Sequence, residues 1–169
     1  MIRWIVGEDP VTLYTTAHVS DPDIKALDDV DTVYIVMKFP SGVLAHIDIS
    51  RYCSYGYDQT VQIYGDSGNL ISANPLKTGL IKNGGLERDE IFFSFDSRYA
   101  DAYKEELAHF VNLIKGKTST CCIKPCDTLK ATMLCCAAEE SHRTGKHIVV
   151  ANYFKEAFGA YIDDPIMNE

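Results

Sequence analysis

Ile47-Asp48-Ile49-Ser50-Arg51-Tyr52-Cys53-Ser54-Tyr55-Gly56-Tyr57-Asp58-Gln59-Thr60-Val61-Gln62-Ile63-Tyr64-Gly65-Asp66-Ser67-Gly68-Asn69 reads as a strand, an aromatic corner, a second strand and a tight turn. Val43, Ala45, Ile47 and Ile49 alternate along the first strand, which sets apolar side chains on one face and His46, Asp48, Ser50 and Tyr52 on the other. Val61 and Ile63 resume the alternation, and Gly65-Asp66-Ser67-Gly68 carries the residues that reverse a chain between strands. Between them Arg51, Tyr52, Tyr55, Tyr57 and Asp58 crowd around Gly56. Two readings fit that polar aromatic surface. The tyrosines either cover a sheet edge at a twisted corner, or form the wall of a polyol pocket whose phenols and Arg hydrogen-bond substrate hydroxyls.

Working outward, Ile2–Val6 has helical character with Gly7 as its stop, and nothing ahead of Met1 caps it. That start suggests an element entered part-way, with something upstream. Val11–His18 alternates as a strand, Ser20–Asp29 is polar and Asp-rich and reads as a loop, and Val30–Phe39 reads as the next strand. The unbroken apolar run Val33–Met37 predicts cover on both faces. Pro40-Ser41-Gly42 turns the chain into the strand quoted above, and Leu70–Ala73 completes a second hairpin. Thr78–Lys82 reads as a further short strand before an Asn83-Gly84-Gly85 turn, and Ile91–Phe93 as either a final edge strand or an extended lead into the helix. Two helices follow. Tyr99, Tyr103, Leu107, Phe110, Val111 and Ile114 make the stripe of the first, capped by Asp96 or Ser97 and ended by Gly116. The second, with Asp127 as cap and a stripe from Leu129 through Met133 to Ala138, is expected to be the more buried. His147–Val150 closes as a strand, and 152–169 reads as a tail with no firm pattern. Hairpins followed by helices predict an α+β domain: a mainly antiparallel, open-faced sheet with helices packed on one face. His46, Asp48, Ser50, Gln62 and Tyr64 fall on the opposite face, where a second copy of the chain is the expected cover.

The 169 residues suffice for one well-buried core, and no apolar run reaches the length of a membrane span. A net charge of −8 with no basic run argues against nucleic acid or an anionic membrane as partner. Cysteines at 53, 121, 122, 126, 135 and 136 show no zinc spacing and read as free thiols of a reducing cytoplasm, so no metal is expected. His46 and Asp48 share a strand face and read as a structural pair, while His109 and His142 read as surface residues on helices.

Ser50-Arg51-Tyr52, Tyr55-Gly56-Tyr57-Asp58-Gln59 and Gly65-Asp66-Ser67-Gly68 together resemble the C-terminal domain of the Gfo/Idh/MocA oxidoreductases, and within that family the inositol 2-dehydrogenases. Arg3-Trp4 with Gly7, Ser97-Arg98-Tyr99-Ala100-Asp101-Ala102-Tyr103 and Gly145-Lys146-His147-Ile148-Val149-Val150 extend the resemblance, in order, over about 150 residues. It implies residues 1–151 as a substrate and oligomerisation domain, with 152–169 as a tail. It implies substrate contacts from Tyr55, Tyr57, Tyr99, Tyr103 and Arg51, and core packing competes for Tyr103 because it lies on its helix's apolar stripe. Family members move a hydride between NAD or NADP and a sugar or cyclitol, using a Rossmann phosphate loop, a Glu-Lys-Pro lysine and an Asp-x-x-x-His pair. The sequence contains none of these, and Gly65–Gly68 sits between strands. No catalytic residue is therefore assigned, and the chain is expected to bind no dinucleotide and to be inactive by itself, as a fragment. Rival readings are a non-catalytic scaffold that pairs through its sheet and, further off, a thiol-based redox or metal protein.

Overall fold

A computed structural model describes residues 1–82, 84 and 87–162. In chain order its elements are α1 (Ile2–Val6), β1 (Thr12–His18), α2 (Pro22–Ala26), β2 (Thr32–Lys38), β3 (Leu44–Ser50), β4 (Val61–Gly65) and β5 (Gly68–Ser72). β6 (Ile81–Lys82), β7 (Glu87–Arg88), α3 (Phe95–Arg98), α4 (Ala100–Ile114), α5 (Pro125–Thr144), β8 (Ile148–Val149) and α6 (Val150–Ile162) follow. They form two compact units, Met1–Arg51 together with the chain from Cys121, and Tyr52–Thr120.

The first unit is an antiparallel sheet of order β3-β2-β1-β8. Its register puts Leu13, Met37 and Ala45 side by side, then Thr15, Ile35 and Ile47, all on one face. Period-two alternation thus gathers the apolar positions, and α5 supplies Met133, Ala137 and Ala138 to cover them, joined by Phe39, Val150 and Phe154. At the edge that the short β8 leaves open, the Thr15 N–H donates to Ser141 Oγ at 2.9 Å, and Ser141 in turn donates to the Lys146 carbonyl at 2.7 Å. α1 is tied on by charge. Arg3 pairs with Asp9 and reaches Asp127 at 3.3 Å, and Lys130 meets the other Asp9 oxygen at 3.2 Å. Burial works to raise the Asp9 carboxyl, but these two cations outweigh it and hold it below the usual carboxylate range.

The α+β class, the antiparallel order and the helix cover on one face agree with the sequence reading. Several local expectations do not. The Val33–Met37 run is covered on one side, because Tyr34 and Val36 stay exposed at 47% and 51%. Ser20–Asp29 is not a plain loop, since Asp21 caps α2 by accepting from Asp23 N and Ile24 N, with Pro22 in the first turn. Asp127 is not the cap of α5. It sits in the first turn, and its carboxylate accepts the Lys124 N–H. The stretch after Ala151, expected as patternless, is helical to Ile162, and Phe154 enters the core.

In the second unit β4 and β5 pair across the Gly65–Gly68 turn as a ladder of their own, so Gln62 and Tyr64 do not extend the β3-β2-β1-β8 sheet. β6 pairs with β7, and Leu76 bridges Ile91. The expected Asn83-Gly84-Gly85 turn lies outside the described residues except for Gly84. The single helix expected from residue 96 is two: α3, entered at Ser94, and then α4, with left-handed Gly116 just past its end. The apolar stripe of α4 is exposed, Leu107 at 66% and Ile114 at 71%.

Candidate functional site at the tyrosine corner

Gly56 fixes the corner. Its φ of +135° suits glycine, and a Cβ there would fall 2.5 Å from Ile91 Cγ1 and 3.0 Å from the Phe92 carbonyl oxygen. That closeness lets the Tyr57 N–H donate to the Phe92 carbonyl at 2.8 Å, which pins Tyr57 against the chain leading into α3. The Tyr57 ring then meets Tyr99 edge-on, centroids 6.0 Å apart at 89°, and Phe95 at 6.3 Å. Its hydroxyl has no hydrogen-bond partner among the described residues.

A polar chain braces this aromatic group. The Tyr55 hydroxyl donates to one Asp58 oxygen at 2.5 Å, and Asn74 Nδ2 donates to the other at 2.5 Å. Asn74 Oδ1 accepts from Gln59 N at 2.9 Å and from Arg98 Nη1 at 2.7 Å. Arg98 Nη2 donates to the Gln59 carbonyl at 2.8 Å, the Tyr99 hydroxyl donates to Gln59 Oε1, and the Arg98 guanidinium lies 5.2 Å from the Tyr99 ring centre. The bonds from Tyr55 and Asn74, with the nearby Arg98 charge, hold the Asp58 carboxyl below its usual range, and the same Asp58 bond raises the Tyr55 phenol. Tyr55 is thereby committed to Asp58, whereas Tyr57 presents a free hydroxyl.

Tyr55, Tyr57 and Tyr99 therefore come together in one connected cluster. Tyr103 follows one helical turn later, its N–H donating to the Tyr99 carbonyl, and is 46% exposed. Arg51 belongs to the other unit, where it pairs with Asp29 at 3.2 Å and its N–H donates to the Asp31 carbonyl. Asp58, which the sequence placed at the corner, builds the brace with Gln59, Asn74 and Arg98, to which the sequence assigned no role. Arg98 adjoins Tyr99 in the quoted helix motif, but nothing local distinguishes Asn74, 24 residues away in sequence from Arg98.

Elsewhere, no hydrogen bond joins His46 to Asp48 among the described residues. His109, expected at the surface, is half-buried, with Nε2 shielded and unpartnered among the described residues. All six cysteines are free thiols. No group of three or more His, Cys, Asp or Glu suits a metal among the described residues. The residues present do not fit a dinucleotide either. Gly65–Gly68 joins β4 to β5, and no glycine-rich turn opens a helix among the described residues, so a pyrophosphate finds no cradle of N–H groups.

Residues 1–71 match the family model of the GFO/IDH/MocA C-terminal domain. The oxidoreductase YrbE of Bacillus subtilis is 32% identical over 161 residues, 94% of this chain and 47% of that protein. The inositol 2-dehydrogenase of Rhizobium meliloti is 32% identical over 154 residues, 89% of this chain and 46% of that protein. A crystal structure of a probable dehydrogenase from Thermotoga maritima superposes with a TM-score of 0.83 at 30% identity, over 90% of this chain and 46% of that one. The chain spans about half the length of the curated relatives it matches. No helix among the described residues is long and apolar enough to cross a membrane. Residues 1–71 thus belong to the Gfo/Idh/MocA C-terminal domain family, and over nine-tenths of its length the chain is similar to part of an inositol 2-dehydrogenase.

Proposed function

We propose that this chain is the substrate-binding and assembly portion of an NAD- or NADP-dependent oxidoreductase acting on a cyclic polyol or sugar. Residues 1–151 form that domain in this reading, with 152–169 as its C-terminal continuation, whose Phe154 packs into the same core, in a cytoplasmic protein. The observation that carries the reading is the Tyr57 phenol: its ring is held by Phe95 and Tyr99, its backbone by Phe92, and its hydroxyl is uncommitted among the described residues. A polyol offers many hydroxyls that both donate and accept, and a phenol held in place answers one of them at little entropic cost. Tyr55, Tyr99 and Tyr103 complete the candidate contacts of this unit, and Arg51 is a further candidate carried by the other unit. These residues bind and orient the substrate. The dinucleotide and the groups that take the hydride and proton come from elsewhere in the enzyme.

The relatives' names support the substrate class, since inositol is a ring of secondary alcohols. The test is to join the chain to the nucleotide-binding half of an inositol dehydrogenase and follow nicotinamide reduction with a panel of cyclitols and aldoses. Reduction with at least one cyclitol is expected. A folded, cofactor-binding hybrid that reduces nothing across the panel overturns the reading.

A further inference from the structure

We propose that Arg98 is a positioning residue, whose forked guanidinium fixes Gln59 and through it the Tyr99 phenol. Arg98 bridges two chain segments of the brace with separate nitrogens: Nη1 on Asn74 Oδ1 at 2.7 Å and Nη2 on the Gln59 carbonyl at 2.8 Å. Gln59 is thereby held at three points, its N–H on Asn74, its carbonyl on Arg98 and its side-chain oxygen on the Tyr99 hydroxyl. The guanidinium also lies against the Tyr99 ring, so one cation sets both ends of that side chain. Its Nε is shielded from solvent and has no partner among the described residues. A buried unsatisfied donor carries a penalty, and the side chain accepts it in the pose that keeps the fork on Asn74 and Gln59. Asn74 has both amide ends engaged and Asp58 both oxygens, so the brace is closed on itself with the Tyr99 phenol bound into it.

A lysine supplies the charge but not two coplanar donors, and so separates a fork from a mere cation. The inference about Tyr99 stands on this chain's own geometry, and its consequence for substrate rests on the polyol reading. The experiment introduces 3-fluorotyrosine at position 99 of the 169-residue chain and records its fluorine spectrum. A single narrow resonance is expected, moved toward that of free fluorotyrosine or broadened in Arg98→Met, and not restored in Arg98→Lys. Gln59→Ala, which leaves the Arg98 bond to the main chain intact, is expected to give the same change with an unaltered melting temperature. An unchanged resonance in Arg98→Met or Gln59→Ala, or full restoration by Lys, overturns the proposal. In the hybrid enzyme, Arg98→Met is expected to raise KM for the cyclitol five- to twentyfold with kcat within about twofold. An unmoved KM there, while Tyr57→Phe raises it, overturns the role of Arg98 at the site. If neither variant moves KM, the polyol reading falls and the fluorine signal alone decides the positioning.

Discussion

Removing the hydroxyl of Tyr57 while keeping its ring separates binding from folding at the corner. The Phe95 and Tyr99 contacts persist in Tyr57→Phe, so the melting temperature should hold within about 1 °C, whereas one lost hydrogen bond is worth roughly 0.5–1.5 kcal/mol. In the hybrid enzyme that converts to a KM for cyclitol raised about two- to tenfold, and an unchanged KM with a lowered melting point would assign Tyr57 to the fold. Asp31, 2% exposed, carries a pH signature. The Asp21 N–H, followed by Ser20 N–H and the Thr32 hydroxyl, holds its carboxyl below the usual range against the opposing effect of burial. A depressed folded-state pKa stabilises the fold above the unfolded value of about 3.9, and the contribution disappears as pH falls through the folded value. The urea midpoint of the native chain should therefore fall more steeply below about pH 4 than that of Asp31→Asn. Parallel curves would remove Asp31 from the acid response. The tyrosines were legible in the sequence because the corner crowds them around one glycine. Their brace was not, since Asn74 and Arg98 meet Gln59 through contacts 15 and 39 residues apart that no local pattern encodes.

Elements with a strong period were legible, and those defined by a cap or by a partner were not. β1 and β3 follow from alternation, β2 from its unbroken apolar run, and α5 from its Leu129–Met133–Ala137 stripe. α2 was missed because five residues carry no period, although Asp21-Pro22-Asp23 is a cap, a first-turn proline and a first-turn acid. α6 was missed because its apolar residues are many but follow no clean period, with the backbone leaving helical geometry at Phe158, and it is fixed by Phe154 packing with β8 and α5. The union of β1 with α5 turns on a single hydroxyl. Ser141 is fully buried, accepting from the Thr15 N–H and donating to the Lys146 carbonyl where β8 has ended. Ser141→Ala leaves the buried Thr15 N–H, and the part-buried Lys146 carbonyl, without this partner, which costs about 1–3 kcal/mol. For a chain of this size that is a melting temperature lowered by roughly 3–10 °C. Ser141→Cys, which keeps a weak donor and acceptor but adds volume, should recover only part of it. A Ser141→Ala variant melting within 1 °C of the native chain would show that the β1 edge finds another partner.

At the scale of the molecule, the sheet has one face buried under α5 and one that the sequence expected a second copy to cover. The outer face carries Tyr34, Val36 and Leu44, the last 71% exposed, beside Tyr14 stacked on His147 with ring centres 4.8 Å apart. A hollow of about 390 Å³ lies among Thr12, Tyr14, Val36, Lys38 and His147. By contrast the same 169 residues hold no phosphate cradle among those described, so NAD or NADP titrated into the chain by itself should show no binding below about millimolar. Tight binding would overturn that placement of the cofactor. For the open face the argument is area and chemistry. Exposed branched and aromatic side chains on an antiparallel sheet face can meet a second copy about a two-fold axis, and stable homodimer interfaces of this kind bury about 2,000 Å² or more. Val36 lies at the middle strand, opposite Tyr14 on one side and His46 on the other, so it would be central to such a contact. Val36→Lys places a charge where the dimer would dehydrate it, at a cost of several kcal/mol that the monomer does not incur, because position 36 is already half-exposed there. Light scattering of the native chain at micromolar concentration should return a dimer or larger, and Val36→Lys a monomer with an unchanged circular dichroism spectrum. A native chain that is folded and monomeric under those conditions would leave the open face to a different partner.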